Sequence, residues 1–146
     1  GVTETLARQY TGVASGNYNL LVAGVTATSA VGSAFVDNVV FVAAFAPIIE
    51  SLKNTGLAVS PLWWALLFGA CFGGNITLIG STANIVALGM LEKQARVHVR
   101  FLEWMKIGMA SAIVTCALAA GTIMLLKARM PETPAAAHPQ SAQASF

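Results

Sequence analysis

Charge is what this sequence has least of. Only 10% of its 146 residues are charged, against roughly a quarter in ordinary globular proteins. No Asp, Glu, Lys or Arg occurs between Lys53 and Glu92 or between Lys106 and Lys127, and between Arg8 and Lys53 the only charges are Asp37 and Glu50. Apolar runs of about 18 residues or more are long enough to cross a hydrocarbon core of roughly 30 Å. With 56% hydrophobic residues, the chain reads as an all-α integral membrane protein in contact with the lipid bilayer, and a soluble domain is excluded.

Other scarcities exclude further classes. The two cysteines, Cys71 and Cys116, both lie inside apolar segments, so neither a disulfide scaffold nor a zinc site is on offer. A net charge of +2 is too small and too scattered for a nucleic-acid footprint. The basic stretch and short apolar core of a cleavable signal peptide are missing, and the polar opening GVTETLARQY carries no initiator Met. Gly1 therefore reads as an arbitrary or processed start within something larger. No nucleophile–base pair suggests an enzyme. His98 sits in a basic loop and His138 in a polar tail, each without a partner, and a lone Cys such as Cys71 is ordinarily a small buried hydrophobe.

What is there divides the chain as follows. Residues 1–16 form the end of an interfacial helix or a solvated leader. Residues 17–52 form a hairpin of two apolar pieces, with a polar interruption at Val36, Asp37 and Asn38. The second piece, Val39 to Leu52, reaches only about 21 Å as a helix, too short to span. Glu50, close to Ser51 and Lys53, belongs at the interface. Pro61 suits the first turn of a helix, and the aromatic pair Trp63 and Trp64 suits the membrane boundary. Residues 61–91 then cross once as a discontinuous helix broken near 73–84, in the stretch GGNITLIGSTAN. A basic connector, 92–106, precedes a continuous terminal span at 107–128, and a disordered tail follows at 130–146. Four basic residues in the connector (Lys93, Arg96, Arg100 and Lys106) favour a cytoplasmic position for it.

The two interruptions matter because backbone in hydrocarbon must find partners. Non-helical chain at membrane depth survives only when buried in protein or lining a wet cavity. Short, broken apolar segments are the best sequence pointer to a transporter site. One half-helix ends in carbonyls that can hold a cation, and the next begins with N–H groups that can hold an anion. Asp37 is the sharpest residue, since a mid-membrane carboxylate costs about 2.5–3.5 kcal/mol on the insertion scale. It can cap the helix that follows, as Asn38 can, and it can carry a cation or a proton. In the second break Asn75, Thr77, Ser81, Thr82 and Asn84 supply oxygens and amides, while Gly73, Gly74 and Gly80 let backbone approach a ligand. Gly69 and Gly73 also make a GxxxG pair, which at Gly69 reads as helix packing. A phosphate-binding loop is excluded because no Lys follows Gly80.

The segments SAFVDNVVFVAAFAPII (33–49) and GACFGGNITLIGSTANIVALGM (69–90), in this order and spacing, resemble the C-terminal repeat of the ion transporter superfamily. The branch is that of arsenite permeases, Na+/H+ antiporters and the pigmentation P protein, also described as citrate-transporter-like. The resemblance covers about residues 10–130 and only half of a full family member. It implies one inverted-repeat half: a re-entrant helical hairpin, a discontinuous transmembrane helix and a terminal transmembrane helix, with both breaks meeting near mid-membrane. Ser33, Asp37 and Asn38 then fall at the hairpin tip, and Asn75, Thr77, Ser81, Thr82 and Asn84 at the helix break. Dicarboxylate symporters of the superfamily carry Ser-Asn-Thr at the tip; Asp-Asn here tilts against a dicarboxylate substrate and toward cation-coupled or metalloid chemistry.

The function expected is the C-terminal half of a secondary active transporter in the cell (plasma or inner) membrane. It moves a small ion (arsenite, Na+/H+ or an organic anion) by cation-coupled alternating access. The coupling ion is Na+ or H+, with Na+ bound at Asp37 and Asn38 and no other cofactor. The partner is the missing N-terminal repeat or a second copy of this chain, as in a homodimer. The competing reading is a non-transporting membrane subunit that only packs against partner helices.

Overall fold

The computed structural model describes Thr5, Gly12 and residues 17–53, 57–96 and 98–130. The expectations for the leader and for the tail beyond Met130 fall outside the described residues. Those residues form five helices and no strand: α1 (Tyr18–Ser33), α2 (Asn38–Lys53), α3 (Ser60–Gly73), α4 (Thr82–Ala95) and α5 (Phe101–Leu126), closed by a 3-10 turn at Lys127–Arg129.

Helix α1 starts where the Asn17 side chain accepts from the Asn19 N–H at 3.1 Å, satisfying one of the orphan donors of a helix start. Its inner face is Leu21, Val22, Val25, Ser29 and Ser33, all buried. The Thr26 and Ser29 hydroxyls donate to the Val22 and Val25 carbonyls at 2.9 and 2.7 Å. Buried polar groups on this face are thus satisfied within their own helix.

Helix α3 packs on that face through its two glycines. A Cβ at Gly69 would stand 2.5 Å from the Thr26 carbonyl oxygen, and a Cβ at Gly73 would run into the backbone of Ala30. Lipid tails are as apolar as Leu, so helices in a membrane associate through such close van der Waals contact rather than through hydrophobic burial. Gly73, placed by the sequence among the residues at the solute, meets the Ala30 backbone on its Cβ side. Gly73→Ala should therefore destabilise the detergent-solubilised protein by about 1–3 kcal/mol, the cost of overpacking. Gly121→Ala, on α5 with nothing within 4 Å, is expected to be neutral or stabilising, since Ala is the better helix former by about 1 kcal/mol. A thermal melt that ranks the two variants the other way would contradict the packing.

The rest of the core gathers around this pair. Phe45, Ile48, Ile49 and Leu52 of α2 close over Leu62, Ala65 and Leu66 of α3, and Ile123 of α5 joins the same cluster. Pro61 occupies the first turn of α3, where its missing N–H costs nothing. Pro47 lies inside α2, where it removes one backbone hydrogen bond. At one end of the bundle Lys127 Nζ donates to Asn19 Oδ1 at 2.6 Å and lies 5.4 Å from the centre of the Tyr18 ring. Tyr18 Oη in turn donates to the Ala58 carbonyl at 2.5 Å.

Several boundaries differ from the sequence expectation. The segment 92–106 is mostly helical: α4 continues to Ala95 and α5 begins at Phe101, so the connection is 96–100. A composition window sees where apolar chain stops; a helix stops only where its hydrogen bonds do. Arg96 supplies that stop, with a left-handed φ of 52°, a conformation costing a non-glycine residue roughly 1–2 kcal/mol. The turn folds the connection back, so His98 is not alone: its Nδ1 lies 2.9 Å from Glu92 Oε1. Cys71, expected as a small buried hydrophobe, is exposed on the outer side of α3.

One helical stretch among the described residues is long and apolar enough to cross a bilayer, Phe101–Arg129, with a mean hydropathy of 2.1 over its most apolar 18 residues. Helices α1 and α2 have 16 residues each and α3 and α4 have 14 each. At 1.5 Å per residue these are about 24 and 21 Å long, less than the roughly 30 Å of a hydrocarbon core.

Candidate functional site

Both helix pairs are interrupted, and the interruptions touch. Residues 34–37 separate α1 from α2, and residues 74–81 separate α3 from α4. The Thr77 hydroxyl donates to the Ala34 carbonyl across the two breaks, and it accepts from the Gly80 N–H at 3.0 Å. Asn38, the first residue of α2, turns its amide nitrogen inward. There its two hydrogens are shared among the Ala70 carbonyl at 3.2 Å, the Gly80 carbonyl at 3.3 Å and the Ser33 hydroxyl oxygen; this orientation is the one that satisfies the surrounding acceptors. Asn84, in the first turn of α4, donates to the Gly74 carbonyl at 3.1 Å and the Thr77 carbonyl at 3.4 Å.

Glycine is required where these chains meet. A Cβ at Gly80 would lie 2.9 Å from both the Ser33 and Ala34 carbonyl oxygens, and a Cβ at Gly74 would collide with the Asn38 amide. Gly80 therefore serves the approach of one backbone to another, and Gly74 makes room for the Asn38 side chain.

The interlock uses up most of the polar groups it contains. The carbonyls of Ala34, Gly74, Thr77 and Gly80 all accept from side chains of the site. Among the described residues no buried side-chain polar atom lacks a partner. This matches the cost of leaving such a group unpaired, about 1–3 kcal/mol. Ser33, Asn38, Thr77 and Asn84 are thus brought together, and each spends polar capacity on the scaffold.

The groups turned outward are different ones. Asp37 is exposed, and its Oδ1 accepts from the Val39 N–H at 3.0 Å, so it caps α2. Capping is one of the two roles that the sequence leaves open for this residue. The Asn75 side chain and Thr82 are exposed, and Ser81 is half-buried. Ser81 precedes α4 in extended conformation without a side-chain hydrogen bond to the helix, which leaves that N-terminus with no side-chain cap for its N–H groups. No group of three His, Cys, Asp or Glu able to hold a metal ion occurs among the described residues.

Two residues of the site carry no local signal in the sequence. Trp104 Nε1 donates to the Asn75 carbonyl at 3.2 Å, and Gly108 lies so close beneath that a Cβ there would meet the same oxygen. Both come from α5, far along the chain. A glycine four residues after an aromatic in an apolar helix is the only hint.

These features define a class: a membrane-embedded helical domain whose two broken helix pairs lock together through Asn, Thr and Gly. The chain belongs to the citrate transporter family, whose profile, described as "Citrate transporter", matches residues 1–140. It is 40% identical over 91 residues to the human P protein, covering 60% of this chain and 11% of that protein. It is 36% identical over 121 residues to a 46 kDa membrane protein of Mycobacterium leprae, covering 81% of this chain and 28% of that one. An uncharacterized transporter of Mycobacterium tuberculosis is 36% identical over 123 residues, covering 82% of this chain and 28% of its own length. The chain thus spans between 11% and 28% of these curated relatives. No solved structure is significantly similar to it.

Proposed function

We propose that this chain supplies one half of the site of a secondary active transporter that moves a small ion by cation-coupled alternating access. The observation that carries this reading is the interlock of the two helix breaks through Thr77, Ala34, Asn38 and Gly80. Non-helical backbone in a membrane protein is retained where it is buried in protein or lines a solute path, and the outward polar groups beside these breaks favour the second. Asp37 and Asn38 lie at the tip of a re-entrant hairpin formed by α1 and α2, and Asp37 takes the coupling Na+ or H+. Helices α3 and α4 cross the membrane as one discontinuous span. The uncapped start of α4, with Ser81 and Thr82, takes the anionic group of the solute through N–H groups and the helix dipole.

This assignment favours an anionic or oxyanionic solute, in keeping with the family description, over a second cation. A complementary half completes the cavity, as an upstream repeat of the same polypeptide or as a second copy of this chain. The protein acts as a carrier and performs no covalent chemistry.

The test is flux into liposomes, with the chain in its complete polypeptide. Citrate, arsenite and Na+ are offered separately under imposed Na+ or pH gradients. The expected result is gradient-driven uptake of citrate or arsenite, abolished when the gradient is collapsed. A protein that inserts and folds but moves none of the three under either gradient is a packing subunit, and the reading fails.

A further inference from the structure

Beside the interlock lies a half-open groove of about 440 Å³ between α4 and the first turns of α5. Asn75 and Asn84 line its inner side, Trp104, Ile107, Gly108 and Ser111 its α5 wall, and Val99 and Glu103 its mouth. It therefore runs from the 96–100 connection to the outward face of the second break.

Among the described residues of that lining, Glu103 is the only charged one. It is exposed, and no cation among the described residues forms an ion pair with it. The other acid of the region, Glu92, is engaged by His98 at 2.9 Å, and the basic residues Lys93, Arg96 and Arg100 do not line the groove. Lys106 lies on the neighbouring face of α5, where Ile107 and Ser111 are shared with an adjacent surface depression. A bland alternative exists for Glu103: it sits in the first turn of α5, where a negative charge complements the helix dipole. That role is served by any exposed position of the turn, and it does not call for the carboxylate to stand over a groove leading to Asn75.

We infer that this groove is the access vestibule of the coupling cation, with Glu103 as the carboxylate that draws cations to its mouth and Asn75 as the polar group where the path reaches the break. The inference rests on the proposed transport function and adds the route and the residue that selects the sign of charge along it. Low-dielectric walls lined by one sign of charge focus the field and raise the local concentration of the opposite ion, with on-rates increased about 10- to 1000-fold. Trp104 keeps the inner end of the path in register, because its indole fixes the Asn75 carbonyl.

The groove can be probed without transport. Ile107 lies one helical turn after Glu103 on the same face and is 74% exposed, so a thiol at this position samples the field in the vestibule. In the complete polypeptide with Cys71, Cys116 and any other cysteine replaced, Ile107→Cys is labelled in liposomes with a cationic and an anionic methanethiosulfonate reagent. Rates are normalised to those of a free thiol. The expected result is a preference of about tenfold for the cationic reagent, lost in Glu103→Gln and slowed by Na+ in the parent. Equal normalised rates for the two reagents, a preference that survives Glu103→Gln, or no labelling by either reagent would overturn the vestibule. Flux of the Glu103→Gln variant separates this inference from the function it rests on. Its half-saturating Na+ or H+ concentration should rise several-fold at unchanged maximal rate, whereas a failure of the transport function itself removes flux from the parent as well.

Discussion

Asp37→Asn is expected to reduce gradient-coupled flux to the level of empty liposomes while leaving membrane insertion and the melting temperature unchanged. The substitution separates the capping seen at this side chain from the coupling role proposed for it. One carboxylate oxygen accepts from the Val39 N–H at 3.0 Å; the Asn side chain keeps an acceptor in that place, and Asn and Asp are equally good at a helix start. The charge disappears, and with it the group proposed to take the coupling Na+ or H+. Asp37→Ala removes cap and charge together, so a loss of stability confined to Ala and a loss of coupling common to both variants would assign the two roles. Uptake driven normally by Na+ or by a pH gradient in Asp37→Asn would show that the coupling ion binds elsewhere.

The second large effect is expected at Thr77. Val matches Thr in shape but has no hydroxyl, so Thr77→Val strands the Ala34 carbonyl and the Gly80 N–H on opposite sides of one buried position. Leaving a buried donor or acceptor unpaired costs about 1–3 kcal/mol each, so the two breaks should separate and transport should fall to background. Thr77→Ser keeps the hydroxyl and loses one methyl, and it should retain most of the flux. Measured side by side as flux and as thermal stability of the purified protein, Val and Ser must differ strongly. Equal behaviour of the two would mean that the interlock contributes nothing.

Much of the site is legible in the amino-acid sequence because hydrocarbon tolerates so little. A run free of charge, broken at 36–38 by an acid and an amide and at 73–84 by Gly, Asn, Thr and Ser, has few physical uses. Which of those residues face the solute and which face one another is not legible there. Gly73 and Gly80 are the same residue type seven positions apart, yet one is filled by the Ala30 backbone and the other admits the Ser33 and Ala34 carbonyls. Asn38 and Asn75 are likewise indistinguishable as letters. The amide of Asn38 bridges Ala70 and Gly80, whereas the side chain of Asn75 is exposed and only its carbonyl is held, by Trp104.

The sequence by itself determined that the chain is helical and membrane-embedded, where its helices are interrupted, and to which family it belongs. Those properties follow from composition and from short-range order, since each helix satisfies its own backbone and each break declares itself through residues that lipid would reject. Tertiary structure alone decided which groups lock the two breaks together and that α5 reaches back to pin Asn75 and to wall the groove headed by Glu103. These are contacts between residues tens of positions apart. Their choice depends on which small side chains let two backbones come within van der Waals distance, and no periodicity or spacing along the chain encodes that.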